Sequence, residues 1–457
     1  MTARRRPETA RETPPPPRSA RALAVQRLLR VEEDGAFVAR LGARASGPDS
    51  RRERNAQRGA TDLVAGVTRL RRRLDHAIAH FARREAAALD APVRQVLRLG
   101  LFELFVRGVP PHAAVDEAVG LARGLAGKGA AGFVNAVLRA ALRAGALPEP
   151  RTGDPAEDLA VGHSYPTWLV RRWLARFGPD ETEALLRAGN APPRFGLRVD
   201  TRRAAPGALA AEIAALGVDV RPSAWLDDFL VADRLQPVLR GGFVADGRCA
   251  VQDEAAGLVV RVLDPQPGEA VLDGAAAPGG KALYAMQRMG GQGRLVALDV
   301  SEAKTALVAR AAAAAGFDAL EARAADLRTA TLDGPFDRVL LDAPCSGTGV
   351  LAKRADLRWR RTEEDLARLT ALQDDLLEAA ARHVRPGGLL VYATCSVEPE
   401  ENAARVAAFL ARTPGFRPEP VAGRVPAPFV GADGHYHALP HRHGTDGAFA
   451  ARLRREA

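Results

Sequence analysis

The chain has 457 residues, 47% hydrophobic and 26% charged, enough for about two to three soluble domains with sizeable cores. Three cysteines exclude a disulfide scaffold and favour a reducing compartment, and no apolar run approaches the ~20 residues of a membrane span. Net charge is +10, with 27 Lys+Arg against 15 Asp+Glu in residues 1–150 and 38 against 40 in the rest; the whole cationic excess therefore sits in the first third and points to a polyanionic partner, most simply nucleic acid.

Met1-Thr-Ala-Arg-Arg-Arg leads into Pro14 to Pro17 rather than an apolar segment, so no secretion signal is expected and the location reads as cytoplasmic. Residues 1–20 read as a disordered tail. From 21 to 148 the apolar positions recur at helical spacing. One set is Leu23, Leu28, Leu29, Phe37, Val38 and Leu41; a denser one runs from Val96 and Leu97 through Leu101 and Phe102 to Phe105. Pro110-Pro111 ends one helix and opens the next, whose apolar face uses Ala114, Val115, Ala118, Val119 and Leu121. Phe133, Val134, Val137 and Leu138 close the set. The reading is an all-α bundle that leaves Arg69, Arg71, Arg72, Arg73, Arg83 and Arg84 for solvent or phosphate.

Pro148 to Pro155 opens a linker over 149–160. Residues 161–250 mix helical stretches (Trp168 to Phe177, Pro206 to Leu216) with short extended ones (Phe195 to Val199, Asp219 to Arg221), a small α+β module. From 251 onward apolar runs bounded by Gly, Pro or Asp alternate with helices: Ala270 to Asp273, Arg294 to Asp299, Asp337 to Asp342 and Gly388 to Cys395. Between them lie Ser301 to Ala315, opened by a Ser N-cap, and Glu363 to His383. That alternation gives a doubly wound α/β sheet over 251–457.

Ligands of such sheets bind beyond the carboxyl ends of the strands. The first strand ends in Asp273 and a tight turn of small residues, Ala275, Ala276, Ala277, Pro278, Gly279 and Gly280, entering a helix at Lys281. Backbone can approach a ligand closely there, and helix N–H groups face an anion such as a carboxylate. The turn is neither G-x-x-x-x-G-K-[ST] nor G-x-G-x-x-G, which disfavours ATP and NAD. Asp299, at the next strand end, can take both hydroxyls of a ribose, and Asp326 can accept from an adenine amino group. Singly, a strand-end Asp is a turn residue or cap; in series behind this turn, the three fit a nucleoside with a carboxylate-bearing tail. Two further strand ends carry Asp342-Ala-Pro-Cys345 and Thr394-Cys395. A lone cysteine is more often core than nucleophile, but two at adjacent strand ends, one beside an Asp, read as functional, and Cys249 as structural.

AAPGGK, LDVS, DAPCSGTG and TCSVEPEEN together resemble the S-adenosylmethionine-dependent RNA cytosine-5 methyltransferases. Lys353 to Trp359 and Gly444-Thr-Asp-Gly447 also resemble that family, and Leu197-Arg-Val-Asp200 and Val251-Gln-Asp-Glu254 resemble its RNA-binding module and the module's exit. Val109 to Glu117 and Gly132 to Arg139 resemble the NusB fold, so the arrangement after residue 20 is similar to the branch acting on small-subunit (16S) ribosomal RNA. The implied architecture is multi-domain: an all-α NusB-like bundle, a small α+β RNA-binding module, then an α/β doubly wound Rossmann-like methyltransferase domain. The chain departs from the family's usual Leu-Cys at Gly274-Ala275, Thr at Ala282 and Asn at Asp200, the last placing an anion near RNA.

The resemblance implies S-adenosyl-L-methionine as cofactor, held by residues 275–281 with Asp299, Asp326 and Asp342. It implies Cys395 as the thiolate adding to cytosine C6 and Cys345 as the group assisting proton removal and release. Asp342 would hold the N3 edge of the base, best as a protonated carboxyl, and Lys281 either orients the site or is an exposed helix-start lysine. The expected partner is RNA, without membrane or DNA, for a monomer. Transfer RNA as substrate, or a non-catalytic RNA-binding scaffold, are the rival readings. No metal is expected: His435 to His443 reads as a solvent loop, lacking a cysteine or carboxylate at ligand spacing. Trp359 could stack on bases, and Tyr392 reads as core.

Overall fold

The structure is a computed structural model that describes residues 19–34, 36 and 51–457; the tail reading at 1–18 and the apolar positions Phe37, Val38 and Leu41 lie outside the described residues. The chain divides into two compact units between Val170 and Arg171. No helix among the described residues is long and apolar enough to cross a membrane.

The first unit is helical: α1 (Ala20–Glu33), α2 (Arg51–Arg69), α3 (Arg71–Ala82), α4 (Ala91–Phe105), α5 (Pro111–Ala144) and α6 (Pro155–His163). Ser19 caps α1 by accepting from the amide of Ala22 at 3.1 Å. Pro92, Pro111 and Pro155 sit in first turns, where a fixed φ helps and no amide is lost; α6 thus begins inside the expected linker. Leu28, Val64, Leu74, Ile78, Val96, Leu97, Leu101, Val134 and Leu138 meet in one core. Burying each such side chain contributes roughly 1.5–3 kcal/mol.

The arginines left for solvent or phosphate divide. Arg69, Arg71, Arg72 and Arg73 are half-buried. Arg72 donates to the carbonyl of Tyr165 and the hydroxyl of Thr167, both at 2.7 Å, and pairs with Glu157 at 2.5 Å. Arg73 donates to the carbonyl of Pro148 at 2.8 Å and pairs with Glu149 at 2.6 Å. Those donors bind the helices to the segment after α5, which charge counting does not show. Arg83 and Arg84 are exposed as expected.

The second unit takes most of α7 (Thr167–Asn190), longer than the expected Trp168–Phe177 stretch and broken at Gly178. A four-stranded antiparallel sheet follows, in the order β2-β3-β1-β4, from β1 (Phe195–Val199), β2 (Val220–Pro222), β3 (Phe229–Ala232) and β4 (Cys249–Val251), with α8 (Pro206–Ala214) after β1. Leu197, Val199, Leu209, Ile213, Leu230 and Cys249 form its core. Burial pushes the Cys249 thiol up to about 11, in keeping with a structural role. Asp200 is 7% exposed and pairs with Arg202 at 2.6 Å, so the anion expected near RNA is neutralised within the protein.

Beyond α9 (Glu254–Leu263) the chain builds β5 (Ala270–Asp273), α10 (Gly280–Arg288), β6 (Arg294–Asp299), α11 (Glu302–Ala315), β7 (Leu320–Ala324), β8 (Phe336–Asp342), α12 (Glu363–Arg382), β9 (Val384–Thr394), α13 (Ala403–Arg412), β10 (Phe416–Glu419), β11 (Tyr436–Ala438) and β12 (Ala448–Arg455). The path is β10-β12-β9-β8-β5-β6-β7, with β11 on β12; β5 to β9 are parallel, while β12 runs antiparallel to β9. Val271, Leu295 and Leu340 face one core with Leu258, Met286 and Val308. Their neighbours Leu272, Val296 and Leu341 face another with Leu377, Ala380 and Phe409. Helices therefore cover both faces of a Rossmann-like sheet, and the winding reverses between β5 and β8, which opens a crevice at their carboxyl ends. β10 to β12 fall outside the sequence reading: β10 and β11 are short, and the alternation of β12, which lies between β9 and β10, is blunted by alanine and arginine.

Candidate active site

Each strand bordering the crevice delivers a functional group within a few residues of its end. After β5, the amide of Gly274 donates to the carbonyl of Leu340 at 2.8 Å and that of Ala276 to Leu298 at 2.7 Å, so neighbouring strands pin the turn. Gly279 has φ 101°, and a Cβ there would stand 3.1 Å from both Val308 methyls. Glycine satisfies both constraints and lets α10 start at once.

Lys281, in the first turn of α10, donates to Asp342 Oδ2 at the end of β8, 2.6 Å away. Its side chain is 18% exposed, so it is not an exposed helix-start lysine. Burial works against the ammonium, but Asp342 outweighs it and raises the Lys281 pKa. The protonated Asp342 carboxyl expected from the sequence would have to give up this ion pair. Asp273, one of the three strand-end aspartates but the one with no ligand group assigned to it in the sequence analysis, is 1% exposed. Burial, aided by the charge of Asp342, pushes its carboxyl up to about 7. Its Oδ1 accepts from the amide of Ala275 at 3.4 Å and its Oδ2 has no partner among the described residues. An orphaned buried acceptor beside a small-residue turn is what a polar ligand of that turn would satisfy. The signal was present as the first residue of the same motif.

Asp299 accepts from the amide of Ser301 at 3.0 Å and has Lys304 at 3.8 Å; Ser301 holds the expected N-cap position of α11 but makes no side-chain cap bond. Asp326 lies two residues past β7 and is gripped by Arg328 at 2.7 Å, a partner the sequence reading did not give it. That pairing lowers its pKa.

β8 and β9 are neighbours, and their ends bring Cys345 and Cys395 to an Sγ–Sγ distance of 3.2 Å. Both cysteines are half-buried. The hydrogen bond from the Cys345 thiol lowers the pKa of Cys395, with Lys281 and Arg354 helping against burial, and raises that of Cys345. One sulfur is thus biased toward thiolate and the other toward carrying the proton.

A buried polar network behind the cysteines holds them. Glu401 accepts from the amide and hydroxyl of Ser346 at 2.8 and 2.5 Å and from Gln373 at 3.1 Å, while Tyr392 donates to its carbonyl at 2.7 Å. Thr394 and Asn402 join across 2.5 Å, and Asn402 donates to the carbonyl of Ser396 at 2.9 Å. Trp173 of α7 and Arg172 hold Glu398 at 3.0 and 3.2 Å, and Arg361 caps the carbonyls of Ser346 and Cys345 at 3.0 and 3.3 Å. Ser346, Thr394, Ser396, Glu398, Glu401 and Asn402 lay inside quoted motifs while Arg172, Trp173, Arg361, Gln373 and Tyr392 did not, and nothing in the spacing distinguishes a buried carboxylate from an exposed one.

The histidine segment is not a solvent loop. His435 is 8% exposed and packs edge-on to Phe449; His437 bonds Asp433 at 3.0 Å; His443 stacks on Phe429 at 4.2 Å. Trp359 is half-buried and Tyr392 is core.

Residues 260–454 match the family model described as 16S rRNA methyltransferase RsmB/F, residues 18–143 that of the NusB family, and residues 165–239 that of an RsmF/B-like methyltransferase ferredoxin-like domain. The probable ribosomal RNA small subunit methyltransferase B of Bacillus subtilis is 34% identical over 448 residues, covering 96% of this chain and 99% of that protein. The ribosomal RNA small subunit methyltransferase B of Pseudomonas putida is 40% identical over 366 residues, 79% of this chain and 82% of that protein. The solved structure of PH0851 aligns with a TM-score of 0.77 at 27% identity, over 95% of this chain and 99% of that one.

Proposed function

We propose that this chain, which belongs to the RsmB/F family of S-adenosylmethionine-dependent ribosomal RNA methyltransferases, methylates C5 of a cytosine in 16S ribosomal RNA through a covalent Cys395–C6 adduct. The observation that carries this reading is the sulfur pair: two half-buried thiols 3.2 Å apart, beside a Lys281–Asp342 ion pair at the switch point of the sheet.

Cytosine C5 is a weak nucleophile. Addition of the Cys395 thiolate at C6 forms an S–C6 bond and makes C5 electron-rich. S-adenosylmethionine, when bound, supplies an electrophilic methyl group. The residues suited to hold it are the 275–281 turn, with the open amides of α10 for its carboxylate, Asp273 Oδ2 as an acceptor for its ammonium group, and Asp299 for the ribose. Asp326 is suited to the adenine amino group if it shares its carboxylate with Arg328. Asp342, held by Lys281, faces the base edge. Cys345, having given its own proton to solvent, then takes the C5 proton as a thiolate, so that the S–C6 bond breaks and its electron pair leaves with Cys395. The bias that holds a proton on Cys345 makes its thiolate the stronger base of the two. The base must be unstacked to reach thiols at the bottom of a crevice. The helical unit contributes phosphate contacts through exposed cations such as Arg83 and Arg84, which give affinity without sequence choice.

The test uses purified protein, methyl-labelled S-adenosylmethionine and separate samples of 16S ribosomal RNA, small ribosomal subunits and transfer RNA, digested to nucleosides. Label in 5-methylcytidine from the ribosomal samples is expected. Label in another nucleoside, or from transfer RNA alone, contradicts the assignment, and no label in any sample makes the chain a non-catalytic RNA binder.

A further inference from the structure

Three sequence motifs with no part in the chemistry above converge on one buried ion cluster. Lys353, in the loop after Cys345, lies between Asp253, the residue that caps α9, and Asp446, in the turn before β12. The Lys353–Asp446 distance is 2.9 Å, and Lys353 also bonds Asp253 Oδ2. Asp253 Oδ1 accepts from the amides of Ala255 at 2.9 Å and Asp446 at 3.0 Å. Side-chain exposures of 24%, 14% and 15% mean that the ammonium and both carboxylates rely on each other more than on water.

Backbone bonds lead from this cluster to the cysteines. The amide of Gly447 donates to the carbonyl of Gly349 at 2.8 Å, and the amide of Gly349 donates to the carbonyl of Cys395 at 3.0 Å. The three segments cross so closely that a Cβ on Gly349 would lie 2.5 Å from the Gly447 carbonyl oxygen and 2.8 Å from that of Cys395. The loop bearing Cys345 is therefore fixed at its far end, four residues past Gly349, by a charge clamp, and in its middle by contact with the Cys395 backbone.

We propose that Lys353 is a positioning residue: clamped by Asp253 and Asp446, it sets the approach of the Cys345 loop to Cys395 and so the thiol–thiol contact. This inference rests on the roles given to the two cysteines, but the contact can be read without RNA. Lys353 bonds Asp253 and Asp446 rather than either thiol; it acts through Gly349. A misplacement of about 1 Å at a reacting group can cost on the order of 100-fold in rate.

The experiment compares Lys353→Met and Lys353→Arg with the wild type. In Lys353→Met, kcat for RNA methylation is expected to fall ~100-fold while KM for RNA stays within about 2-fold. Lys353→Arg, which can still meet both carboxylates, should recover most of the loss. Alkylation of Cys395, followed by peptide mass spectrometry across pH, supplies the readout free of RNA. Its midpoint should rise by about one unit in Lys353→Met as the Cys345 hydrogen bond is lost. A wild-type kcat and alkylation midpoint in Lys353→Met overturns the inference, as does a loss confined to KM. If Lys353→Met does not fold, the near-isosteric Asp446→Asn replaces it, with a ~10-fold lower kcat expected and an unchanged one overturning the proposal. A wild-type protein that methylates no RNA defeats the proposed function instead, and the alkylation midpoints still decide the role of Lys353.

Discussion

The helical unit and the α/β unit both half-bury their cations, and they use them differently. In the helical unit Arg72, Arg73 and Arg98 close on carboxylates and carbonyls of the same unit, and Arg98 grips Asp75 with two bonds of 2.6 and 2.8 Å. In the α/β unit Lys353 likewise closes on Asp253 and Asp446, but Lys281 and its partner Asp342 sit beside Asp273, whose Oδ2 has no partner among the described residues. Satisfied charge is scaffold, whereas charge left partly unsatisfied beside strand ends is available to a ligand. Net charge by region reports neither, because it counts Arg72 and Arg84 alike.

The largest effect that would sharpen this contrast is in the α/β unit. Cys395→Ala should lower methyl transfer by on the order of 10⁴-fold while leaving S-adenosylmethionine binding, measured by calorimetry, intact; retained turnover would reverse the roles of the two cysteines. In the helical unit, Arg72→Met should destabilise by about 2 kcal/mol in denaturant unfolding, because it removes the ion pair with Glu157 and the bond to the Tyr165 carbonyl, with no change in the salt dependence of RNA binding. A weaker salt dependence with unchanged stability would make Arg72 a phosphate contact and collapse the distinction.

A smaller effect concerns pH. The Asp273 carboxyl is raised in the folded state, so folding retains a proton that the unfolded chain releases. The associated stability is complete below the ordinary carboxylate range and is lost as pH rises to about 7. Asp273→Asn should therefore flatten the fall in Tm of the ligand-free protein as pH rises from the ordinary aspartate value of 3.8 to about 7; an unchanged slope would place the titration elsewhere. The smallest is Arg84→Ala, which should reduce the slope of log affinity against log salt by about one and leave Tm unaltered.

How legible each part was follows the same physics. The strands ending at Asp273, Asp299 and Asp342 stood out because buried parallel strands are continuous apolar runs ended by a polar residue. The cysteine pair stood out because the chain has so few. β12 was hidden: Ala448 to Arg455 carries arginines whose guanidinium groups find Glu419, so a buried strand reads as a charged one. Arg72 and Lys353 were hidden for a related reason, since their partners lie about 90 residues or more away along the chain. Spacing reveals what a segment does to itself; ion pairs between segments need the fold.

The most direct test of the central claim incubates Cys345→Ala with S-adenosylmethionine and 16S ribosomal RNA, denatures the mixture, and maps any protein–RNA crosslink by peptide mass spectrometry. The expected result is a slow-migrating adduct on the peptide containing Cys395, carrying a methylated cytosine. No adduct, or one on a residue other than Cys395, would contradict the assignment of nucleophile and release group.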